Sequence, residues 1–131
     1  AIRRNCGHSL FSAMEPGTHI LPHCGPANFR LRLHLGLVVP DNCRIRVGDQ
    51  VRTWVEGKVL VLDDAFEHEV WNDSESERVV LIVDMWHPDF SDKEILYMEQ
   101  TREHARDKER RRASQGSHAD GQSGHLAATP G

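Results

Sequence analysis

Two histidines in this sequence have the type and the position expected of metal ligands. His23 lies in the segment THILPHCGP, at a corner rich in glycine and proline, and His68 follows the acidic turn DDAFE. Histidines at strand ends can converge at one mouth of a barrel, where metal and small-ligand sites form. The same positions also suit hydrogen-bonded histidines at a surface, so both roles stay open for His23 and His68.

Arg78 is the third candidate, because it begins the most apolar run of the chain, RVVLIVDMW. A guanidinium that enters a barrel interior needs an anionic partner, since an unpaired buried charge is costly. A bound carboxylate would supply that partner through two parallel hydrogen bonds. The alternative is an ion pair at the surface with Asp73, Glu75 or Glu77.

The segment NFRLRLHLGLVV alternates basic side chains with leucines. In a strand, this alternation places Arg30, Arg32 and His34 on one face and the leucines on the other. In a small barrel the basic face meets either water or the lumen. A lumen position would make the three residues a cationic wall suited to a carboxylate, whereas a solvent position would need no further explanation.

The elements that must position these residues are short strands. Turn-forming segments such as EPG, CGPAN, VPDN and DSESE separate eight alternating or apolar runs. Eight short strands without helical periodicity predict an all-β antiparallel sandwich or barrel, and the count favours a jelly roll. The eight runs are SLFSAM, THILPH, NFRLRLHLGLVV, CRIRV, QVRTWVE, KVLVLDD, HEVWND and RVVLIVDMW.

The domain organisation follows from a change of composition after Pro88. The sequence predicts one β domain over residues 1–90 and a C-terminal helix over residues 91–113, where Ser91 and Glu94 have capping-box spacing. Residues 114–131 lack an apolar pattern and are predicted to be a disordered tail.

Charge and composition narrow the function classes. The 131 residues carry 16 basic and 20 acidic side chains, which argues against a dedicated nucleic-acid binder. No apolar run is long enough for a membrane span, and no signal-peptide core is present. Cys6, Cys24 and Cys43 form no CxxC pair, so they indicate neither a zinc knuckle nor a disulfide scaffold. The start at Ala1 suggests a piece of a longer chain, although processing would give the same start.

Three blocks of the sequence resemble a known family. PGTHILPHCGPANFRLRLHLGL, TWVEGKVLVLDDAFEHEVWND and RVVLIVDMWHP occur in the order and spacing of the aspartyl/asparaginyl β-hydroxylase catalytic domain. The resemblance runs from about Phe11 to Pro88. It implies a double-stranded β-helix, that is, a cupin-like jelly roll, and an Fe(II)- and 2-oxoglutarate-dependent oxygenase.

The resemblance also implies a set of site residues. It makes His23 and His68 the iron ligands, and it gives Arg78 the far carboxylate of 2-oxoglutarate. The residues that it places along the co-substrate pocket are Ser12, Arg32 and His34. The leucines of NFRLRLHLGLVV would then pack against the second sheet or other supporting structure.

Gly25 marks a departure from the wider superfamily of such oxygenases. Most of its members add a carboxylate two residues after the first histidine, to complete a facial triad, and here that position is Gly25. The resemblance therefore implies two protein ligands and an additional water. Glu67 and Glu69 flank His68, but strand alternation points them away from its face.

The activity implied by the resemblance is hydroxylation of the β-carbon of Asp or Asn in EGF-like domains. Its cofactors would be Fe(II), 2-oxoglutarate and O₂, and its compartment the endoplasmic reticulum. Two alternatives remain. The chain could be a non-catalytic or truncated barrel that binds metal and 2-oxoglutarate without turnover, or a cupin-like metal-binding or sensing module.

Overall fold

The computed structural model describes residues 5–116, which form eight strands followed by one helix. The strands are β1 (Asn5–Met14), β2 (His19–His23), β3 (Arg30–Val38), β4 (Cys43–Val47), β5 (Gln50–Arg52), β6 (Val59–Leu62), β7 (His68–Asn72) and β8 (Arg78–Trp86). The helix is α1 (Asp92–Gly116). The predicted all-β fold with a C-terminal helix is confirmed.

The strands form two four-stranded antiparallel sheets. The first sheet has the order β1-β8-β3-β6, and the second has the order β2-β7-β4-β5. Consecutive strands lie in opposite sheets, except for β4 and β5, which are neighbours in the second sheet. This alternation between sheets is typical of a jelly roll. The predicted strand count and the sandwich architecture therefore match the structure.

Strand β8 shows how the sequence chooses its two faces. Its residues alternate between buried and half-buried positions along the whole strand. Val80 and Ile82 face inward and join the core between the sheets. The other members of that core are Met14, Cys43, Ile45, Trp54, Leu62 and Val70.

Strand β3 has its polar face toward the interior. Arg30 is 8% exposed and His34 is 6% exposed, whereas Leu37 is 39% exposed. The lumen alternative for the basic face is therefore correct. Of the two supports expected for the leucines, the second sheet or other supporting structure, the second sheet is ruled out, because the basic face occupies that side.

The leucines of β3 belong instead to the outer face of the first sheet. Their cross-strand partners on that face are also apolar: Leu33 pairs with Val61 and Val83, and Leu35 pairs with Val59 and Leu81. Aliphatic neighbours at directly opposed positions stabilise a sheet through side-chain contact. The alternation in β3 thus places apolar side chains on the outer face of the sheet and polar side chains toward the interior.

The C-terminal unit is the helix, and the chain divides into two compact units between Phe90 and Ser91. The capping box is present, because the Ser91 amide and hydroxyl both donate to Glu94 Oε2, at 2.8 Å and 2.6 Å. The helix ends at Gly116, three residues beyond the predicted end. The rest of the predicted tail, residues 117–131, lies outside the described residues. Within residues 5–116, no helix has the length and apolar character that a membrane crossing requires.

Candidate functional site

His23 and His68 meet where β2 pairs with β7. They are directly opposed in the register of the two strands, and their ring centroids lie 4.2 Å apart. His23 is exposed at the mouth of the fold, and His68 is buried behind it. The two predicted metal ligands are therefore neighbours.

Each of these imidazoles uses one nitrogen to fix its ring. The Nδ1 atom of His23 lies 2.8 Å from the Leu21 carbonyl, and that of His68 lies 2.9 Å from the Phe66 carbonyl. Since a carbonyl only accepts, Nδ1 must carry the hydrogen in both rings, which leaves Nε2 with its lone pair. Neutral imidazoles held in this tautomer are the form that binds divalent metals.

Arg78 is a buried cation at the first position of β8. It is 2% exposed, its Nη2 donates to Ser12 Oγ at 3.2 Å, and its guanidinium lies 4.7 Å from the Trp54 ring centroid. Its Nε has no hydrogen-bond partner, and no carboxylate among the described residues forms an ion pair with it. Burial lowers the pKa of this guanidinium. The alternative of a surface pair with Asp73, Glu75 or Glu77 is therefore wrong.

His34 lies near Arg78 and is neutral. Burial, followed by the positive charges of Arg78 and Arg32, lowers the pKa of His34 to about 4. The Trp54 indole donates from Nε1 to His34 Nδ1 at 3.2 Å, so the hydrogen of the neutral ring is on Nε2. That Nε2–H is buried and has no acceptor among the described residues.

The two arginines of β3 are neutralised by two buried aspartates. Arg30 donates from Nη2 to Asp64 at 2.9 Å and contacts Asp84 from Nη1 at 2.8 Å. Arg32 forms a bidentate pair with Asp84, at 2.7 Å and 2.9 Å. The prediction of a cationic wall is therefore wrong, because Arg30 and Arg32 use their charges inside the protein.

All six site residues named from the sequence line one cavity of about 120 Å³. They are Ser12, His23, Arg32, His34, His68 and Arg78. The remaining wall is aliphatic and consists of Ile20, Ile45, Leu62, Val70 and Ile82. Pockets for drug-sized ligands measure roughly 300–1,000 Å³, so this cavity suits a smaller molecule.

Gly25 leaves no space for a side chain. A Cβ at this position would lie 2.5 Å from Asp64 Oδ2 and 2.8 Å from the Asp64 carbonyl oxygen, which already accepts from the Gly25 amide at 2.6 Å. The carboxylate that most superfamily members carry at this position would therefore collide with Asp64.

We expect Gly25→Ala to lower the free energy of unfolding by about 1–3 kcal/mol, the usual effect of overpacking against backbone atoms. Urea unfolding would measure it. Gly17→Ala is a comparison without a clash, because nothing lies within 4 Å of its Cβ position and only the strain of its positive φ opposes the methyl group. An unchanged free energy of unfolding in Gly25→Ala would contradict the steric explanation.

The acidic residues beside His68 take no part in the cavity. Glu67 and Glu69 form ion pairs with Arg46, at 2.9 Å and 2.6 Å. This agrees with the predicted strand alternation. Among residues 5–116, no cluster of three or more His, Cys, Asp or Glu side chains is placed to hold a metal ion.

Sequence reasoning missed three residues around the cavity: Asp64, Asp84 and Trp54. Asp84 had a detectable signal, because it shares the inward face of β8 with Val80 and Ile82, where an acid must be paired. The predicted runs QVRTWVE and KVLVLDD include Trp54 and Asp64, but β5 ends at Arg52 and β6 at Leu62, so strand alternation does not orient either side chain.

Comparison with known proteins identifies the family. The profile of the aspartyl/asparaginyl beta-hydroxylase family matches residues 1–88. The chain belongs to the aspartyl/asparaginyl β-hydroxylase family.

Two curated relatives align with most of the β domain. The chain is 57% identical over 86 residues to the mouse aspartyl/asparaginyl beta-hydroxylase, covering 65% of this chain and 12% of the relative. It is 54% identical over 83 residues to an ornithine lipid ester-linked acyl 2-hydroxylase of Rhizobium tropici, covering 61% of this chain and 30% of the relative. This member of the β-hydroxylase family thus spans less than a third of the length of either relative.

Solved structures agree on the fold. A cupin domain of an XRE-family transcriptional regulator from Enterobacter cloacae aligns with a TM-score of 0.51 at 9% identity, covering 60% of this chain and 80% of that one. A predicted oxalate decarboxylase from Thermotoga maritima aligns with a TM-score of 0.50 at 14% identity, covering 60% and 65%. At these identities the likeness shows that this β-hydroxylase-family chain has the double-stranded β-helix fold.

Proposed function

We propose that this cavity is the active site of an Fe(II)- and 2-oxoglutarate-dependent hydroxylase. One observation carries the proposal: two imidazoles with free Nε2 atoms and a buried guanidinium without a carboxylate partner among the described residues line the same small cavity. The two imidazoles suit a metal ion, and the guanidinium suits a carboxylate group. 2-Oxoglutarate combines the two requirements in one molecule.

The residues divide into a metal end and a carboxylate end. His23 and His68 would hold Fe(II) through Nε2, and their Nδ1–H bonds to backbone carbonyls keep the rings oriented. Arg78 would bind the far carboxylate of 2-oxoglutarate, with Ser12 holding the guanidinium in place. Bound iron would supply the O₂ chemistry, in which 2-oxoglutarate is decarboxylated to succinate and a substrate carbon is hydroxylated.

Between the two ends, the protein excludes water and fixes orientation. The aliphatic wall formed by Ile45, Val70 and Ile82 provides no hydrogen bonds that would stabilise bulk water. Because Arg32 is already paired with Asp84, it can line the cavity without competing with Arg78 for the carboxylate. One end of the cavity thus offers a cation and the other offers two imidazole nitrogens.

For the substrate, we propose the β-carbon of Asp or Asn side chains in protein substrates, with EGF-like domains as the first choice. The name of the mouse relative supports aspartyl and asparaginyl side chains as the substrate. The choice of EGF-like domains, and of the endoplasmic reticulum lumen as the compartment, rests on the family resemblance. The Rhizobium relative is named for a lipid acyl group, so an acylated lipid belongs in the substrate panel as the competing class.

An anaerobic titration tests the proposal directly. Addition of Fe(II) and then 2-oxoglutarate to the full chain should produce the visible charge-transfer band of a metal-bound keto acid. Admission of O₂ with an EGF-like peptide should then form succinate. A band without succinate on any substrate would favour the non-catalytic barrel, metal binding without a band would favour the cupin-like module, and no metal binding would overturn the proposal.

Arg78→Ala should weaken 2-oxoglutarate binding by about 10- to 100-fold, the usual loss for a hydrogen bond to a charged group, while Fe(II) binding stays unchanged. Anaerobic calorimetry measures both affinities. Arg44→Ala is the matched control, because Arg44 also lies over a tryptophan ring, that of Trp71 at 4.5 Å, but does not line the cavity. Equal 2-oxoglutarate affinity in Arg78→Ala and the parent chain would remove Arg78 from the site.

A further inference from the structure

Trp54 contacts both polar groups at the carboxylate end of the cavity. Its indole Nε1–H donates to His34 Nδ1 at 3.2 Å, and the two rings lie side by side and nearly in one plane, with centroids 6.1 Å apart and an interplanar angle of 7°. The guanidinium of Arg78 lies 4.7 Å from the centroid of the same indole. One side chain, 4% exposed, therefore touches two cavity residues that each keep one buried polar atom, His34 Nε2 and Arg78 Nε, without a hydrogen-bond partner among the described residues.

The contact with His34 decides where the hydrogen of its ring is. An indole nitrogen only donates, so His34 Nδ1 must accept and Nε2 must carry the hydrogen. Without that donor, a neutral imidazole can adopt either tautomer, and the other one would present a lone pair instead of a hydrogen at Nε2. Only the Nε2–H form can donate to a carboxylate oxygen.

The contact with Arg78 fixes the plane of the guanidinium. A guanidinium over an indole face is held by a cation–π interaction, which strengthens when the pair is desolvated. Arg78 has one hydrogen bond within the protein, to Ser12 Oγ, so the ring is its second restraint among the described residues. The indole therefore limits the directions in which the remaining N–H groups can donate.

The backbone explains how a loop residue reaches this position. The segment after β5 docks on β3 at Gly36, whose amide donates to the Lys58 carbonyl at 3.1 Å and whose carbonyl accepts from the Gly57 amide at 2.9 Å. A Cβ at Gly36 would lie 2.6 Å from the Val55 carbonyl oxygen. The absence of a side chain at Gly36 thus lets the loop approach β3 closely enough to place Trp54 beside His34.

We propose that Trp54 is a positioning residue that aims His34 Nε2–H and the Arg78 guanidinium at one carboxylate group in the cavity. The identity of that carboxylate as part of 2-oxoglutarate rests on the proposed function. Trp54 itself touches neither metal nor substrate in this arrangement and acts through its two neighbours.

Two substitutions separate the two contacts. Trp54→Phe keeps an aromatic face beneath Arg78 but removes the donor to His34, whereas Trp54→Leu removes both. We expect the dissociation constant of 2-oxoglutarate to rise about 5-fold in Trp54→Phe and about 30-fold in Trp54→Leu, in line with one lost hydrogen bond and one lost cation–π contact. The KM for 2-oxoglutarate should rise in parallel, while kcat at saturation and Fe(II) affinity stay close to those of the parent chain.

The direct readout is the tautomer of His34, measured by ¹⁵N NMR on the full chain without metal. The parent chain should show His34 protonated at Nε2, and Trp54→Phe should show a mixture of tautomers. Trp71→Phe is the matched control, because the Trp71 ring also contacts a histidine, His19, and an arginine, Arg44, but neither of these two residues lines the cavity.

Each outcome decides something specific. An unchanged His34 tautomer in Trp54→Phe overturns the inference, and so does a changed tautomer with unaltered 2-oxoglutarate affinity. A mixture of tautomers together with weaker binding, both absent in Trp71→Phe, supports it. If the parent chain binds no 2-oxoglutarate, the proposed function fails, and the NMR measurement still tests the link between Trp54 and His34.

Discussion

Replacing His68 with alanine is expected to abolish succinate formation and to lower Fe(II) affinity by at least about 100-fold. Loss of a partner outside the ligand set already costs 10- to 100-fold in metal affinity, so loss of a ligand costs more. With His23 and His68 as the proposed protein ligands, His68→Ala would leave His23 alone. Anaerobic Fe(II) titration and a succinate assay measure the two effects.

His19→Ala is the matched control for that experiment. His19 belongs to β2 like His23, but its ring stacks on Trp71 and lies 3.1 Å from Glu69 Oε2, away from the cavity. This variant should keep Fe(II) affinity and turnover. If His68→Ala retained Fe(II) affinity, the metal would be bound elsewhere, and the assignment of His23 and His68 as ligands would be wrong.

Replacing Asp84 with asparagine should lower the free energy of unfolding by about 3–5 kcal/mol at neutral pH, the range measured when one partner of a buried ion pair is removed. The side chain keeps its size, but Arg30 and Arg32 then share the single carboxylate of Asp64. Two desolvated guanidiniums around one acid leave an uncompensated charge. Urea unfolding followed by circular dichroism measures the loss.

The exposed ion pair between Arg44 and Asp73 provides the control. Both side chains are at least 40% accessible, and Asp73→Asn should change stability by about 0–1 kcal/mol. Similar losses in Asp73→Asn and Asp84→Asn would show that burial of the network adds nothing to its stabilising effect.

The effect of Asp84 should also depend on pH. Burial alone would raise the pKa of Asp84, but hydrogen bonds from Arg32 and the charges of Arg32 and Arg30 outweigh it and hold that pKa below its usual value. A lowered pKa in the folded state stabilises the fold above the unfolded value, which is about 4. The stability difference between the parent chain and Asp84→Asn should therefore be full at neutral pH and shrink as the pH falls below about 4.

The sequence predicted the strands and the shared side of the basic residues because both follow from period-two alternation. In β3, that alternation places Arg30, Arg32 and His34 on one face, but it leaves open whether this face meets water or the lumen. The alternation could not distinguish an arginine without a carboxylate partner from one that is already paired with an aspartate. Arg32 and Arg78 look alike in the sequence, and only the positions of Asp64 and Asp84 separate them.

The parts that could not be predicted depend on residues outside the strands. Trp54 lies between β5 and β6, and its position beside His34 follows from the docking of that segment on Gly36. The contact between Gly25 and Asp64 likewise joins two loops across the fold. A chain segment without periodicity gives no information about the direction of its side chains, so these contacts appear only in three dimensions.

The cavity joins parts of the chain that are far apart in sequence, and this has a consequence for folding kinetics. Ser12 and Arg78 are separated by 66 residues, Arg32 and Asp84 by 52, and His34 and Trp54 by 20. Contacts of long sequence separation form slowly, because the entropy of loop closure is lost before the contacts form. We therefore expect the cavity to be completed late in folding, and a ligand bound by both His68 on β7 and Arg78 on β8 would join the two sheets and slow their separation.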